Sequence, residues 1–306
     1  MPPMNVIPLR NTGHPGGPSG RDAAPPARAP AGTARTPDAA RLSLVSAIEQ
    51  RTSAHHFKPD ALPPGVLDQL LDLANRAPSA FNLQPWHFVV VQDPALRRQL
   101  QDVALGQGQP AEAPATVVFV ADPDAWQHNL DDVIASSKAA GAMNDDYEKL
   151  LRTVVPAQFD PGPLGLRHLF RRLGAPILRL FKPTPTVPSS DEDLRAHAVK
   201  NTMFAAENFV LAATAAGLDT CPMEGFDEER LKALLDIPER MSIPLMIPIG
   251  HATSTRHGKS PRLPVERKIH QDGWEGLAPA SEARPAQAPA LPGVPILNSI
   301  TIRQAS

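Results

Sequence analysis

The chain has 306 residues, a formal net charge of −2 and a pI near 6.6, which excludes the strongly basic face expected of a nucleic-acid binder. Cys221 is the only cysteine, so no intrachain disulfide can form and a reducing, cytoplasmic setting is expected. No apolar run approaches the ~18 residues of a membrane span, and the opening "MPPMNVIPLR" lacks the apolar stretch of a secretory signal.

Residues 1–40 contain nine Pro, five Gly and eight Ala with no apolar periodicity. They cannot bury enough surface to offset their ordering entropy, so a disordered tail is expected. The same bias returns over 278–306, where "VPILNSITI" could form a short arm. The folded unit is therefore placed at 41–277. Leu44, Val45 and Ile48 have the spacing of a short amphipathic helix that ends at "RTSAHHF". Pro64 suits a first helical turn, and Val66, Leu67, Leu70, Leu71 and Ala74 make one apolar stripe after it. "HFVVVQ" (87–92) is a β-branched run that predicts a buried strand. Pro94 opens a helix to about Ala104, and "TVVFVAD" (116–122) predicts a second strand.

The stretch 123–190 is polar at first, then punctuated by Pro and Gly, then basic and apolar. In its last part, Leu169, Phe170, Leu173, Ile177, Leu178 and Phe181 can share a face opposite Arg171, Arg172, Arg179 and Lys182. Such a helix can lie on an anionic membrane surface or serve as a lid or dimer-packing helix. The second reading is preferred because the segment is internal and short. Ser190 is a good N-cap, Asp191, Glu192 and Asp193 favour a helix start, and Gly217 can close its end. The Ala-rich sequence between them predicts a long helix, buried centrally or against a symmetry mate. "TCPMEGFDEERLKALLDI" gives a turn and a short helix, and "IPLMIPIGH" (243–251) a third strand. Helices and few strands without strict alternation predict an α+β fold.

Chemistry-bearing patterns are sparse. His55 and His56 are neighbours and cannot form the i, i+4 pair of a helical zinc site, so no metal site is expected. Ser79 has no G-x-S-x-G elbow, Cys221 has no nearby base, and neither a dinucleotide fingerprint nor a P-loop is present. What remains is a scattered anion site. Arg51, Ser53 and His55 alternate along an extended segment and turn to one side, with His56 a bystander. Lys259 and Arg262 in "KSPRLP" add charge. Asn82 and Gln84 in "PSAFNLQPW" could meet a flat polar ring backed by Trp86.

Four of these stretches, in order, resemble the FMN-dependent nitroreductase family: "RTSAHHF", "APSAFNLQPWHFVVV", "GLDTCPMEGFDEERL" and "SPRLPVERKIHQDGW". The resemblance covers about 44–275. It implies an α+β fold with a central, mostly antiparallel sheet flanked by helices, built as an intertwined homodimer. It also implies FMN as cofactor, NAD(P)H as co-substrate and a small electron acceptor such as a nitroaromatic or quinone. Carried over by residue, Arg51, Ser53 and His55 would face the FMN phosphate, ribityl chain or pyrimidine edge, with Arg262 as a second phosphate contact and Lys259 among the cofactor-binding residues. The 123–190 stretch would be an inserted lid or cap over the flavin. Pro78, Ser79 and Asn82 would approach the ring from the partner subunit. Met223, Glu224 and Gly225 would line its reactive part, and Gln109 would stand near the pyrimidine. No side chain is implied as a catalytic acid or base, because the flavin carries the chemistry. His55 departs from the family's usual Arg or Lys, which makes the charge there pH-dependent.

Overall fold

Ser43, Asp93, Asn144, Ser190 and Asp227 each accept a hydrogen bond from a backbone N–H in the helical turn that follows. Each cap satisfies one of the orphan donors of a helix start. The computed structural model describes residues 42–254, 261–274 and 276. The two expected tails and Lys259 lie outside the described residues. In chain order the elements are α1 (Leu44–Gln50), α2 (Val66–Ala74), β1 (Trp86–Val91), α3 (Pro94–Val103), α4 (Gln109–Glu112), β2 (Ala115–Ala121), α5 (Ala125–Ala139) and α6 (Asp145–Phe159). They continue with α7 (Leu166–Arg179), α8 (Asp191–Ala215), β3 (Asp219–Thr220), α9 (Glu228–Leu234) and β4 (Ser242–Gly250).

The four strands form one antiparallel sheet in the order β1-β2-β4-β3, so the α+β expectation holds. β2 is buried along its whole length, which explains its continuous apolar run: both faces are covered. Its alternation splits the core in two. Val117 and Phe119 face α2 and α8, packing with Leu70, Ala205, Phe209 and Ala213. Val118 and Val120 face α3 and α9, packing with Leu100, Val103 and Leu231. The rings of Phe119 and Phe209 meet edge to face with centroids 5.7 Å apart, a geometry that adds to plain burial.

Pro244 and Pro248 look misplaced in a strand with neighbours on both sides, because proline cannot donate to a ladder. The Met246 N–H donates outward to Met223 O at 3.0 Å. Pro244 and Pro248 are two residues either side of it and share that edge. Their missing donors therefore fall away from β2, along the side where β3 is only two residues long.

The apolar stripe of α1 faces outward, against expectation: Leu44 is 64% and Ile48 55% exposed, and only Ala47 is buried. Along α8 the burial within the chain is one-sided, with Met203, Phe204 and Glu207 exposed. Because α1 packs on α8, both leave apolar side chains that the chain alone does not cover. A third cluster joins α5, α6 and the start of α8 through Leu130, Ile134, Leu151, Val155, Phe159 and Leu194. These close over Leu83 of the 77–86 stretch.

Candidate active site

The segment 51–57 is extended and clips onto the β3 edge of the sheet. Ser53 forms a parallel bridge with Thr220, and Ala54 N–H donates to Thr220 O at 3.0 Å. Farther along, Phe57 bridges Ala252, Lys58 N–H donates to His251 O at 2.8 Å, and Thr253 N–H donates to His56 O at 3.1 Å. Strict alternation breaks after Ala54: Ala54 and Phe57 are both buried, Arg51, Thr52 and Ser53 are half-buried, and His55 and His56 are both exposed. His55 therefore does not share the setting of Arg51 and Ser53 as expected. Gly250 makes the docking possible, since a Cβ there would lie 2.7 Å from Pro114 Cδ and 3.2 Å from the Phe57 ring.

Glu112, at the end of α4, holds this segment from the other side. Its carboxylate accepts from Phe57 N–H at 3.0 Å and lies 3.2 Å from His56 Nδ1. His56 is therefore not a bystander: it helps fasten the segment. Gln109 is one turn before Glu112 and shares its face, and its Oε1 is buried without a partner among the described residues.

Beyond Thr220 the chain passes Cys221, buried and in no disulfide, and Met223, which bridges Met246. It emerges with Glu224 and Gly225 exposed. Gln107 fixes this turn, its Nε2 donating to Gly225 O at 2.7 Å and to Ala104 O at 3.0 Å. A Cβ on Gly225 would stand 3.0 Å from the same nitrogen, so the close approach favours glycine. The fold thus sets Arg51, Ser53 and His55 along the β3 edge, Gln109 on the helix that holds their segment, and Met223, Glu224 and Gly225 on the chain leaving β3. Arg262 is on an exposed loop, its Nη1 donating to Pro261 O.

Pro78, Ser79 and Asn82 stand elsewhere, just before β1. Trp86 is level with Ser242 through β2, whereas Thr220 is level with Ile249. Seven residues along, about 24 Å, and three strand spacings across, about 14 Å, separate the two places by roughly 28 Å. They lie at diagonal corners of the sheet, and α8, anchored near one and ending near the other, fills the space between. The two sets cannot converge on one ligand within a single chain.

The 79–84 loop is strained and tightly held. Phe81, Asn82 and Gln84 have φ of 54°, 56° and 49°, left-handed values that cost on the order of 1 kcal/mol each in a non-glycine residue. Ser79 Oγ accepts from Gln84 N–H at 2.9 Å, Asn201 Oδ1 from Ala80 N–H at 2.9 Å, and Leu83 O from Asn129 Nδ2 at 2.9 Å. Asn201 Nδ2 lies 3.3 Å from His197 Nε2, and burial, then nearby Lys200, lowers the His197 pKa from its ordinary 6.5. Glu112, Gln107, Asn129 and Asn201 are supports that sequence reasoning missed. Their partners are up to 121 residues away, and no local pattern marks them.

Among the described residues no group of three or more His, Cys, Asp or Glu could hold a metal ion. The donors present are a guanidinium, hydroxyls and amides, one with an unused buried acceptor. They suit an anionic group attached to a flat, hydrogen-bonding ring.

Comparison with known proteins agrees with this geometry. Residues 48–251 match the model of the nitroreductase family, and the chain belongs to that family. A curated relative from Thermus thermophilus, an NADH dehydrogenase, is 32% identical over 228 residues, covering 74% of this chain and 95% of its own. The oxygen-insensitive NAD(P)H nitroreductase of Salmonella typhimurium is 29% identical over 220 residues, covering 69% and 89%. Among solved structures, the FMN complex of a protein from Exiguobacterium sibiricum assigned to the nitroreductases superposes with a TM-score of 0.59 at 21% identity. It covers 75% of this chain and 97% of that one, a likeness of fold. The family match ends at His251, before Lys259 and Arg262.

Proposed function

We propose that the protein is an NAD(P)H-dependent oxidoreductase that binds FMN at the 51–57 edge and acts as a homodimer on a small acceptor. The observation that carries this is the convergence of Arg51 and Ser53 with the 223–225 turn, diagonal to a second, rigid loop that a partner chain could supply. The chemistry that FMN supplies when bound is acceptance of a hydride from NAD(P)H and its later delivery to a nitroaromatic, quinone or similar acceptor, in two separated half-reactions. Arg51 and Ser53 bind the phosphate and ribityl end, Arg51 by a planar fork suited to phosphate oxygens. Arg262, from beyond the family match, would add positive charge there, and His55 stands exposed on the same segment as Arg51 and Ser53. Gln109 offers its unused Oε1 to a ring N–H, and Met223 and the Glu224–Gly225 backbone face the ring, where an amide N–H can stabilise developing negative charge. Pro78, Ser79 and Asn82 of a second copy would complete the far side.

Uncovered apolar side chains on α1 and α8 support that second copy, since side chains such as Ile48 and Phe204 are the kind that dimer contacts bury. The α5–α6 pair, packed on the 79–84 loop, would travel with it and shape acceptor choice. The test is spectroscopic and kinetic. The purified protein should bind one FMN per chain, with absorbance near ~450 nm, and bleach anaerobically with NADH or NADPH. Initial rates should give parallel reciprocal lines, as ping-pong kinetics require. A colourless protein that gains no absorbance band from added FMN would overturn the proposal.

A further inference from the structure

Helix α7 is mounted with its apolar side outward. No residue of it is buried. His168, Arg171 and Ala175, spaced i, i+3, i+7, are the half-buried positions that face the body. Arg171 reaches into that contact, donating to Ala157 O at 2.6 Å, Asp160 O at 3.0 Å and Pro188 O at 3.1 Å. Roughly opposite on the helix, Leu169, Phe170, Leu173 and Ile177 form one stripe, which Leu180 and Phe181 extend past its end. Phe170 is 71% and Phe181 82% exposed. A contiguous apolar patch of this kind normally marks an interaction surface.

The charge around the stripe points to what covers it. From Pro161 to Ser190 there are five Arg or Lys residues and no Asp or Glu, in a chain whose net charge is −2. Arg172 borders the stripe and Lys182 follows its end, and neither has an acidic partner among the described residues. Two copies of this face meeting about a two-fold axis would bring these basic borders together, an unfavourable contact. A bilayer rich in anionic lipid meets both demands: headgroups for Arg172 and Lys182, and acyl chains for the phenylalanines and leucines. The sixteen residues from Leu166 to Phe181 would extend about 24 Å as a helix. With a polar side held against the protein, α7 is suited to lie in the interface plane rather than to cross it. Among the described residues no helix is long and apolar enough to cross a membrane.

We propose that α7 and the residues to Lys182 are an in-plane anchor that docks the enzyme on anionic lipid surfaces. The test is flotation of the full chain with vesicles of phosphatidylcholine alone, or of equal parts phosphatidylcholine and phosphatidylglycerol. Wild type should float with the anionic vesicles and not with the neutral ones, and added salt should weaken the binding. Phe170→Ser/Phe181→Ser and Arg172→Glu/Lys182→Glu should each lower binding by roughly tenfold or more, with unchanged circular dichroism because all four side chains are exposed or carry no core contact. Absence of wild-type binding to anionic vesicles, equal binding by the variants, or equal binding to neutral vesicles would overturn the proposal. So would a lipid-free assembly that the wild type forms and Phe170→Ser/Phe181→Ser loses, because a second copy would then be the occupant.

Discussion

Arg51 is half-buried at the C-terminal end of α1, where Arg51 N–H closes the helix onto Ala47 O. Its backbone is thus fixed, and in the proposed function its guanidinium holds the FMN phosphate. Arg51→Ala should weaken FMN binding by ~1.5–3 kcal/mol, the range for a hydrogen bond to a charged group. Fluorescence titration of apoprotein measures it, and wild-type affinity in the variant would remove Arg51 from the site. At the other corner, Asn201 turns its oxygen to Ala80 N–H, so its Nδ2 faces His197 Nε2. That nitrogen can accept only while the imidazole is neutral. Because burial lowers the His197 pKa below 6.5, the unfolded chain takes up a proton there at a higher pH than the folded one. Stability should therefore fall as pH drops from about 6.5 toward the lower folded value, and this pH dependence should be absent above about 6.5, where the imidazole is neutral in both states. Urea midpoints across this range should show the acid slope reduced in His197→Gln. An unchanged slope would show that another group controls it. Arg51 and Ser53 could be proposed from sequence because their motif is local. Asn201 could not, since nothing around it in sequence announces Ala80.

The 51–57 segment shows how an element with almost no secondary structure of its own is made rigid. It borrows backbone partners from Thr220 and His251 and a side-chain acceptor from Glu112. Glu112→Leu should strand the Phe57 N–H, lowering stability by about 1–3 kcal/mol and loosening cofactor binding with it. Denaturant unfolding with and without FMN checks both, and an unaffected midpoint would mean that the Gly250–Phe57 contact suffices alone. At this scale β1, β2 and β4 were legible as β-branched runs, and α8 from its Ser190 cap and acidic first turn. The two-residue β3 was not, because so short a strand has no period to detect. Periodicity gave stripes on α1 and α7 but not the side on which each packs. That depends on neighbours distant in sequence, and both stripes face outward.

At the scale of the molecule, the sheet geometry keeps the 51–57 segment and the 79–84 loop, the two halves of the proposed site, at opposite corners of one chain, roughly 28 Å apart. The motifs and their order were readable from sequence. That they cannot meet within one chain became visible only once strand order and register were known. The proposed dimer joins Arg51, Ser53 and the 223–225 turn of one copy to the 79–84 loop of the other. Subunit mixing tests this most directly. Arg51→Ala and Ser79→Ala/Asn82→Ala should each impair FMN-dependent activity as pure proteins. In a mixed dimer the first chain would contribute an intact 79–84 loop and the second an intact Arg51, rebuilding one complete site. The account predicts that activity and bound flavin rise when the two variants exchange subunits. No gain, with mixed dimers demonstrated by mass measurement, would contradict it.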